Sequence, residues 1–248
     1  MMRLSDYIVK GAKAKWYKGG NVKLGKKVWT FSTLYGDGMH YVAKFNECIQ
    51  GTCGGYCHGC KNDCYVRKSY RYGSVILGHA CNTLAVRYNI GNLASDLGGM
   101  IDRARNKPDI CRLHQSGELV SDEQLEQFFT LADEHPEQQF YIYTKAYDIL
   151  LTVLSRHNER VPKNLTILVS IWHETGIQVY RVLKHIPNIK AFVYDDGTFD
   201  YTAYGLDITT WCKAYDENGK LDHNVTCDKC RKCFNRGKCS KIIGCKAH

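Results

Sequence analysis

With 248 residues and a mass of 28.3 kDa, the chain can bury one full-sized α/β core, alone or with a small appendage. Its 44% hydrophobic and 24% charged residues are ordinary for a globular protein, and no run of about 18 apolar residues exists that could cross a membrane. The net charge of +9 is concentrated at the ends. Residues 1–30 carry eight Lys/Arg against one acid, Asp6, and residues 226–248 carry seven against Asp228. Two basic ends on a mildly acidic body suggest a polyanionic partner such as nucleic acid, or neutralisation of a negatively charged cofactor. The first twenty residues lack the apolar core and small-residue cleavage site of a signal peptide. A cytoplasmic protein without a membrane partner is therefore expected.

In chain order, residues 1–35 read as a basic segment with one or two strands, at 22–24 and 28–31. A strand follows at about 41–45. Residues 74–105 have helix-like apolar spacing, interrupted near Gly91. From there a regular alternation begins. Residues 110–114 form a strand, and Ser121 caps a helix whose first turn holds Asp122, Glu123 and Gln124. Strands at 140–144, 165–172 and 191–194 alternate with helices at 147–156 and 177–185, and one more strand is expected at 206–211. The pattern predicts about six βα units and a parallel sheet, too few to close an eight-stranded barrel. The fold class is therefore α/β, a partial, open (βα)6-type parallel barrel, with its chemistry at the carboxyl ends of the strands.

The 13 cysteines form two knots. The first contains Cys48, Cys53, Cys57, Cys60, Cys64 and Cys81; the second contains Cys227, Cys230, Cys233, Cys239 and Cys245, while Cys111 and Cys212 stand alone. A secreted disulfide scaffold is usually short, with cysteines spread throughout, so metal ligation is the better reading. The second knot has ferredoxin-like arithmetic. Cys227, Cys230, Cys233 and Cys245 are the chosen four, for a [4Fe–4S] cluster or for Zn²⁺, with Cys239 left out. Lys229, Arg231, Lys232, Arg236, Lys238 and Lys241 would balance the anionic centre. Cys48 and Cys81 read as buried or outer thiols.

Cys53-x3-Cys57-x2-Cys60 resembles the cluster loop of the radical SAM superfamily. That resemblance implies three thiolates on a [4Fe–4S] cluster whose fourth iron is chelated by S-adenosylmethionine (SAM). Gly54, Gly55 and Gly59 would let backbone amides approach the cluster sulfurs. Such loops often carry an aromatic residue beside the third cysteine. Here Tyr65 follows Cys64, so the ligands are three from the pool Cys53, Cys57, Cys60 and Cys64. Ser116-Gly117-Glu118, after the strand at 110–114, looks like a variant of the Gly-Gly-Glu segment that holds the SAM amino group, with Glu118 as its partner. By the same likeness, Ser170 and His173 contact SAM or substrate. The plainer alternatives are a strand-to-helix turn at 116–118, a helix cap by Glu174, and a turn at Asp195 and Asp196. Thr144 and Lys145 close another strand.

The chain as a whole resembles the phage-encoded gene product 88 family. The carrying segments are 51–65, 112–118, 140–145, 169–172 and the Cys-rich tail. The resemblance implies a layout: a basic N-terminal segment over 1–38, a radical-SAM-like partial barrel over 39–212, and a Cys-rich metal-binding segment over 213–248. The activity implied is reductive cleavage of SAM to a 5′-deoxyadenosyl radical that abstracts hydrogen, with the cofactor carrying the hard chemistry. A reducing partner such as a flavodoxin or ferredoxin would be needed. The basic ends point to a nucleotide or nucleic-acid substrate, in the host cytoplasm if the protein is phage-encoded. The alternative is a non-catalytic zinc or Fe–S protein that binds nucleic acid. Trp16, Tyr17, Tyr70 and Tyr72 would then stack on bases, unless they pack in the fold.

Overall fold

Alternation of apolar residues on both faces of each strand builds the central sheet. The computed structural model describes residues 3–18, 23–57, 60, 64–172, 174–216, 218, 220–234 and 241–246. The expectations for His173, Cys239 and the Cys57 side chain fall outside the described residues. A short helix α1 (Leu4–Val9) leads to β1 (Tyr17–Lys18) and β2 (Val28–Thr30). A two-stranded hairpin follows, β3 (Met39–Val42) and β4 (Glu47–Gln50), and then the helices α2 (Gly73–Tyr88) and α3 (Leu93–Asp102). The βα run is β5 (Ile110–Leu113), α4 (Asp122–Glu134), β6 (Gln139–Thr144), α5 (Tyr147–Arg156), β7 (Leu165–Ile171), α6 (Glu174–Leu183) and β8 (Ile189–Asp195). The chain closes with β9 (Thr210–Trp211), α7 (Cys227–Cys230) and β10 (Ile242–Lys246).

The sheet order is β1-β2-β5-β6-β7-β8-β10-β9. Only the β1–β2 pair is antiparallel; every other neighbour is parallel. The described strands leave β1 and β9 as free edges, so the sheet is mostly parallel and open. From β2 to β8 the order never reverses. Right-handed crossovers that always step in one direction put every connecting helix on the same face. The core agrees. Phe140, Ile142, Ile167, Val169, Ala191 and Val193 share one large cluster with Leu97, Phe128, Leu150 and Ile177 of the helices. Ser121 caps α4 as its side chain accepts from Gln124 N at 3.3 Å.

Three sequence expectations change. The strand expected at 41–45 is not in the sheet: Met39–Val42 pairs only with Glu47–Gln50, because Asn46, in the left-handed region, turns the chain straight back. The first parallel strand is Val28–Thr30, paired with Ile110–Arg112, so the basic N-terminal segment supplies part of the sheet. The tail is not a separate appendage either. Ile242-Ile243-Gly244-Cys245 is a short apolar run that inserts between β8 and β9. Gly244 suits that position because a side chain there would meet Ile208 and Trp211.

Helices cover one face of the sheet. The other presents Val28, Ile110, Tyr141, Leu168 and Ile243, packed by Leu24 and Phe234 with Cys227 and Cys233. Both chain ends therefore meet over the face that the helices leave bare.

Candidate metal centres

Backbone bonds at the carboxyl ends of β2 and β5 position the first knot. Thr33 N donates to Ser116 O at 3.0 Å, and Thr52 N donates to Leu34 O at 2.9 Å. Cys53 is locked reciprocally: its N–H bonds Gly36 O at 2.9 Å, and Gly36 N donates to Cys53 Sγ at 3.1 Å. Cys64 precedes the 3-10 turn Tyr65–Arg71, and its sulfur accepts from the Val66 and Arg67 amides. Burial pushes the Cys53 thiol up to about 12, opposed by the Gly36 amide, and also raises Cys64. Cys53, Cys60 and Cys64 line one cavity of about 490 Å³ with Tyr35, His40 and Arg67.

Lys145 joins this loop to the sheet. Its Nζ lies 2.6 Å from Cys60 Sγ, and 5.0 Å from the ring centroid of Trp172. Its backbone N–H donates to Glu118 Oε2 at 2.8 Å. The other carboxylate oxygen of Glu118 accepts from Thr144 Oγ1 at 2.8 Å and Leu119 N at 2.9 Å. Desolvation raises the Glu118 carboxyl, and those donors oppose the rise. Glu118 N donates to Thr52 Oγ1, so the 116–118 segment clasps the residue before Cys53. Gly117 is required there. Its φ is +78°, and an added Cβ would stand 1.9 Å from Thr33 Oγ1. His114 has φ 53° and is buried under the same turn. Gln124 Nε2 donates to His114 Nε2 at 2.8 Å, which leaves the proton on Nδ1 for Ser116 O. Burial lowers the His114 pKa to about 4.

The structure thus brings Cys53, Cys60, Cys64, Glu118 and Lys145 together. Ser170 lies on the helix-free face of β7, with its carbonyl accepting from the Tyr147 hydroxyl. Ser116 Oγ donates to Thr33 O at 3.0 Å. Asp195 and Asp196 make turns to Gly197 and Thr198, and Asp195 also receives Lys246 Nζ at 2.6 Å. Cys48 is exposed on β4, and Cys81 lies on α2 beside the Tyr7 hydroxyl. Trp16 is buried with its Nε1 on Leu97 O, and Tyr70 bonds Tyr35 N and His79. Neither ring is free to stack on a base; Tyr72 is exposed beneath Arg71.

The second knot sits on the helix-free face. Cys227 N donates to Lys23 O at 2.8 Å and Asp228 N to Leu24 O at 3.1 Å, which ties the knot to the N-terminal segment. Gly25 (φ +92°) permits that approach, because a Cβ there would stand 2.2 Å from the Asp228 carboxyl. Cys212 N donates to Gly244 O at 2.7 Å, which sets Cys212 beside Cys245. The two thiols hydrogen-bond, lowering Cys212 and raising Cys245. Cys227, Cys230 and Cys233 interact electrostatically with one another, and Cys227 and Cys233 with Cys212. Arg112 lies below, half-buried, with Tyr141 and Tyr143 within cation–π range. Arg112 Nε and the Tyr141 hydroxyl are buried and have no hydrogen-bond partner among the described residues. Sequence reading missed Cys212 and Arg112, because neither stands in a recognisable spacing with the knot. Among the described residues, no three His, Cys, Asp or Glu side chains converge on a single-ion site.

The fold and these sites define a cysteine-rich α/β protein with a mostly parallel sheet, one thiol group at a strand-end cavity and another beneath the sheet. A family model described as Gene product 88 matches residues 8–241, and the chain belongs to that family. Comparison with curated proteins gives no match, and comparison with solved structures gives none. No described helix is long and apolar enough to cross a membrane.

Proposed function

We propose that the protein is a radical-SAM-type iron–sulfur enzyme, and that its sheet curls as a partial (βα)6-type barrel. The observation that carries this reading is one cavity at the carboxyl ends of the strands, lined by Cys53, Cys60 and Cys64, with Lys145 Nζ on Cys60. The one-directional strand order supports the barrel: with all helices on one face, the other is the concave side of a curling sheet.

The donor set suits a [4Fe–4S] cluster. Three thiolates from Cys53, Cys57, Cys60 and Cys64 hold it, and the amides of Gly36, Val66 and Arg67 reach two of the sulfurs. Such bonds favour the reduced, more negative state. When bound, cluster and SAM together supply a carbon radical that abstracts hydrogen. The chain's own task is orientation. Glu118 Oε2 accepts one described bond, from Lys145 N, which leaves a lone pair for an ammonium group. Ser116 and Gly117 brace the cluster loop through Thr33 and Thr52. Ser170 and His173 are the further candidates for SAM or substrate contact. Arg67 at the cavity and the excess of basic residues favour an anionic substrate, a nucleotide or nucleic acid.

The test is electron paramagnetic resonance of anaerobically reconstituted, dithionite-reduced protein, with and without SAM. A [4Fe–4S]⁺ signal that shifts on SAM addition is expected, and Glu118→Ala weakens SAM binding. A cluster signal indifferent to SAM overturns the enzyme reading. So does a preparation that takes up zinc and no iron.

A further inference from the structure

The second knot is built differently from its sequence spacing. Cys212, outside the Cys227–Cys245 run, is brought into it by the β9–β10 pairing and the Cys212 N to Gly244 O bond. Its thiol touches Cys245 and lies within electrostatic reach of Cys227 and Cys233. The Tyr143 hydroxyl bonds Cys233 from the sheet face below. Beside Cys227 sits Arg112, half-buried, whose Nε is shut off from water and has no hydrogen-bond partner among the described residues. A guanidinium nitrogen buried without an acceptor is costly, and native folds seldom keep one. Lys23 adds a second cation near Cys212 and Cys245, its ammonium 3.9 Å from the ring centroid of Tyr215. The group that such a pocket lacks is an anion bound by thiolates. A cubane presents separate corners to its ligands, and its negative charge would face Arg112 and Lys23.

We propose that Cys212 is a ligand, with three thiolates from Cys227, Cys230, Cys233 and Cys245, of an iron–sulfur cluster beneath the sheet, and that Arg112 is its counter-charge. The centre carries electrons or braces the fold; it does not depend on SAM reaching the first knot.

The experiment uses the full chain with Cys53, Cys57, Cys60 and Cys64 all changed to Ala, reconstituted anaerobically with iron and sulfide. Iron, sulfide and zinc are assayed, and Mössbauer spectra recorded. About four iron per chain are expected to remain. Adding Cys212→Ser removes most of that iron, whereas adding Cys81→Ser does not. If the multiple variant fails to fold, the same subtraction is made in the native chain: Cys212→Ser loses about four iron, whatever the first knot holds. Unchanged iron and spectrum after Cys212→Ser, or one equivalent of zinc in place of iron, overturns the proposal. Arg112 is a positioning residue with its own readout. Arg112→Met moves the midpoint potential of this cluster to more negative values, and Arg112→Lys restores it. A potential indifferent to both substitutions overturns the counter-charge role. Failure of the SAM test leaves all these outcomes unaffected.

Discussion

The two thiol groups occupy opposite environments of one sheet. The first stands at the strand ends, on loops, around a cavity of about 490 Å³. Its sulfurs meet backbone amides and one lysine. The second lies on the sheet face, clamped by segments from both ends of the chain, and its cation is a half-buried arginine. An open cavity with loop-borne ligands can admit a small molecule to a metal. The second knot lies against the strands with Leu24 and Phe234, its Cys245 buried and its other described thiols half-buried. The contrast teaches that cysteine count is a poor guide to role. On the proposed reading, a reactive centre and a structural or electron-carrying one differ in which side of the sheet the thiols reach.

A pair of glycines offers the strongest way to break this contrast. Gly117→Ala forces a Cβ onto Thr33 at a positive φ. It should cost about 3–5 kcal/mol and abolish the SAM-sensitive signal while leaving the second centre. Gly25→Ala meets only the short Asp228 side chain and should cost about 1–3 kcal/mol. It should loosen the second knot and spare the first. Denaturant melts with iron assays read both, and loss of both centres in either variant would mean that the knots are not independent.

Arg112→Met sharpens the comparison with an effect of intermediate size. In metal-free protein it replaces a half-buried guanidinium, whose Nε has no described partner, by an apolar chain, so stability should rise by about 1–3 kcal/mol. With iron bound, the same change should destabilise. A variant that destabilises the metal-free protein would show that Arg112 already has its counter-charge.

The smallest effect is acid sensitivity at the first site. His114 has a folded pKa of about 4 against 6.5 unfolded. The unfolded chain therefore binds the proton first. The stability contribution is fully present above about pH 6.5 and is lost as pH falls towards 4. His79, also held near 4 by burial, behaves the same way. Each contributes up to about 3 kcal/mol of acid destabilisation. His114→Asn, which tolerates the left-handed backbone, should flatten part of that slope in denaturant midpoints between pH 4 and 7. An unchanged slope would place the acid sensitivity elsewhere.

Local periodicity already spelled out the βα run. The spacing of Leu125, Phe128, Phe129 and Ala132 makes α4, Ser121 caps it, and the strongly apolar run makes β7. These elements follow from nearest neighbours in the chain. The first knot was legible for the same reason, since its ligands crowd into one loop. The Ser116-Gly117-Glu118 turn was legible as a strand end, but its bonds to Thr52, Thr144 and Lys145 were not. The hairpin at 39–50 was misread because β-like composition does not say which partner a strand takes.

By itself the sequence determined the α/β class, the alternation that makes the sheet parallel, and the existence of two thiol-rich segments. Only the tertiary structure decided that β2 starts the parallel run, that β10 lies inside the sheet, and that Lys145 reaches Cys60. It also decided that Cys212 and Arg112 join a knot to which no spacing connects them. The physical reason is range: helix period and capping act over a few residues, whereas strand order and the burial of an unpartnered guanidinium nitrogen arise only when distant segments pack.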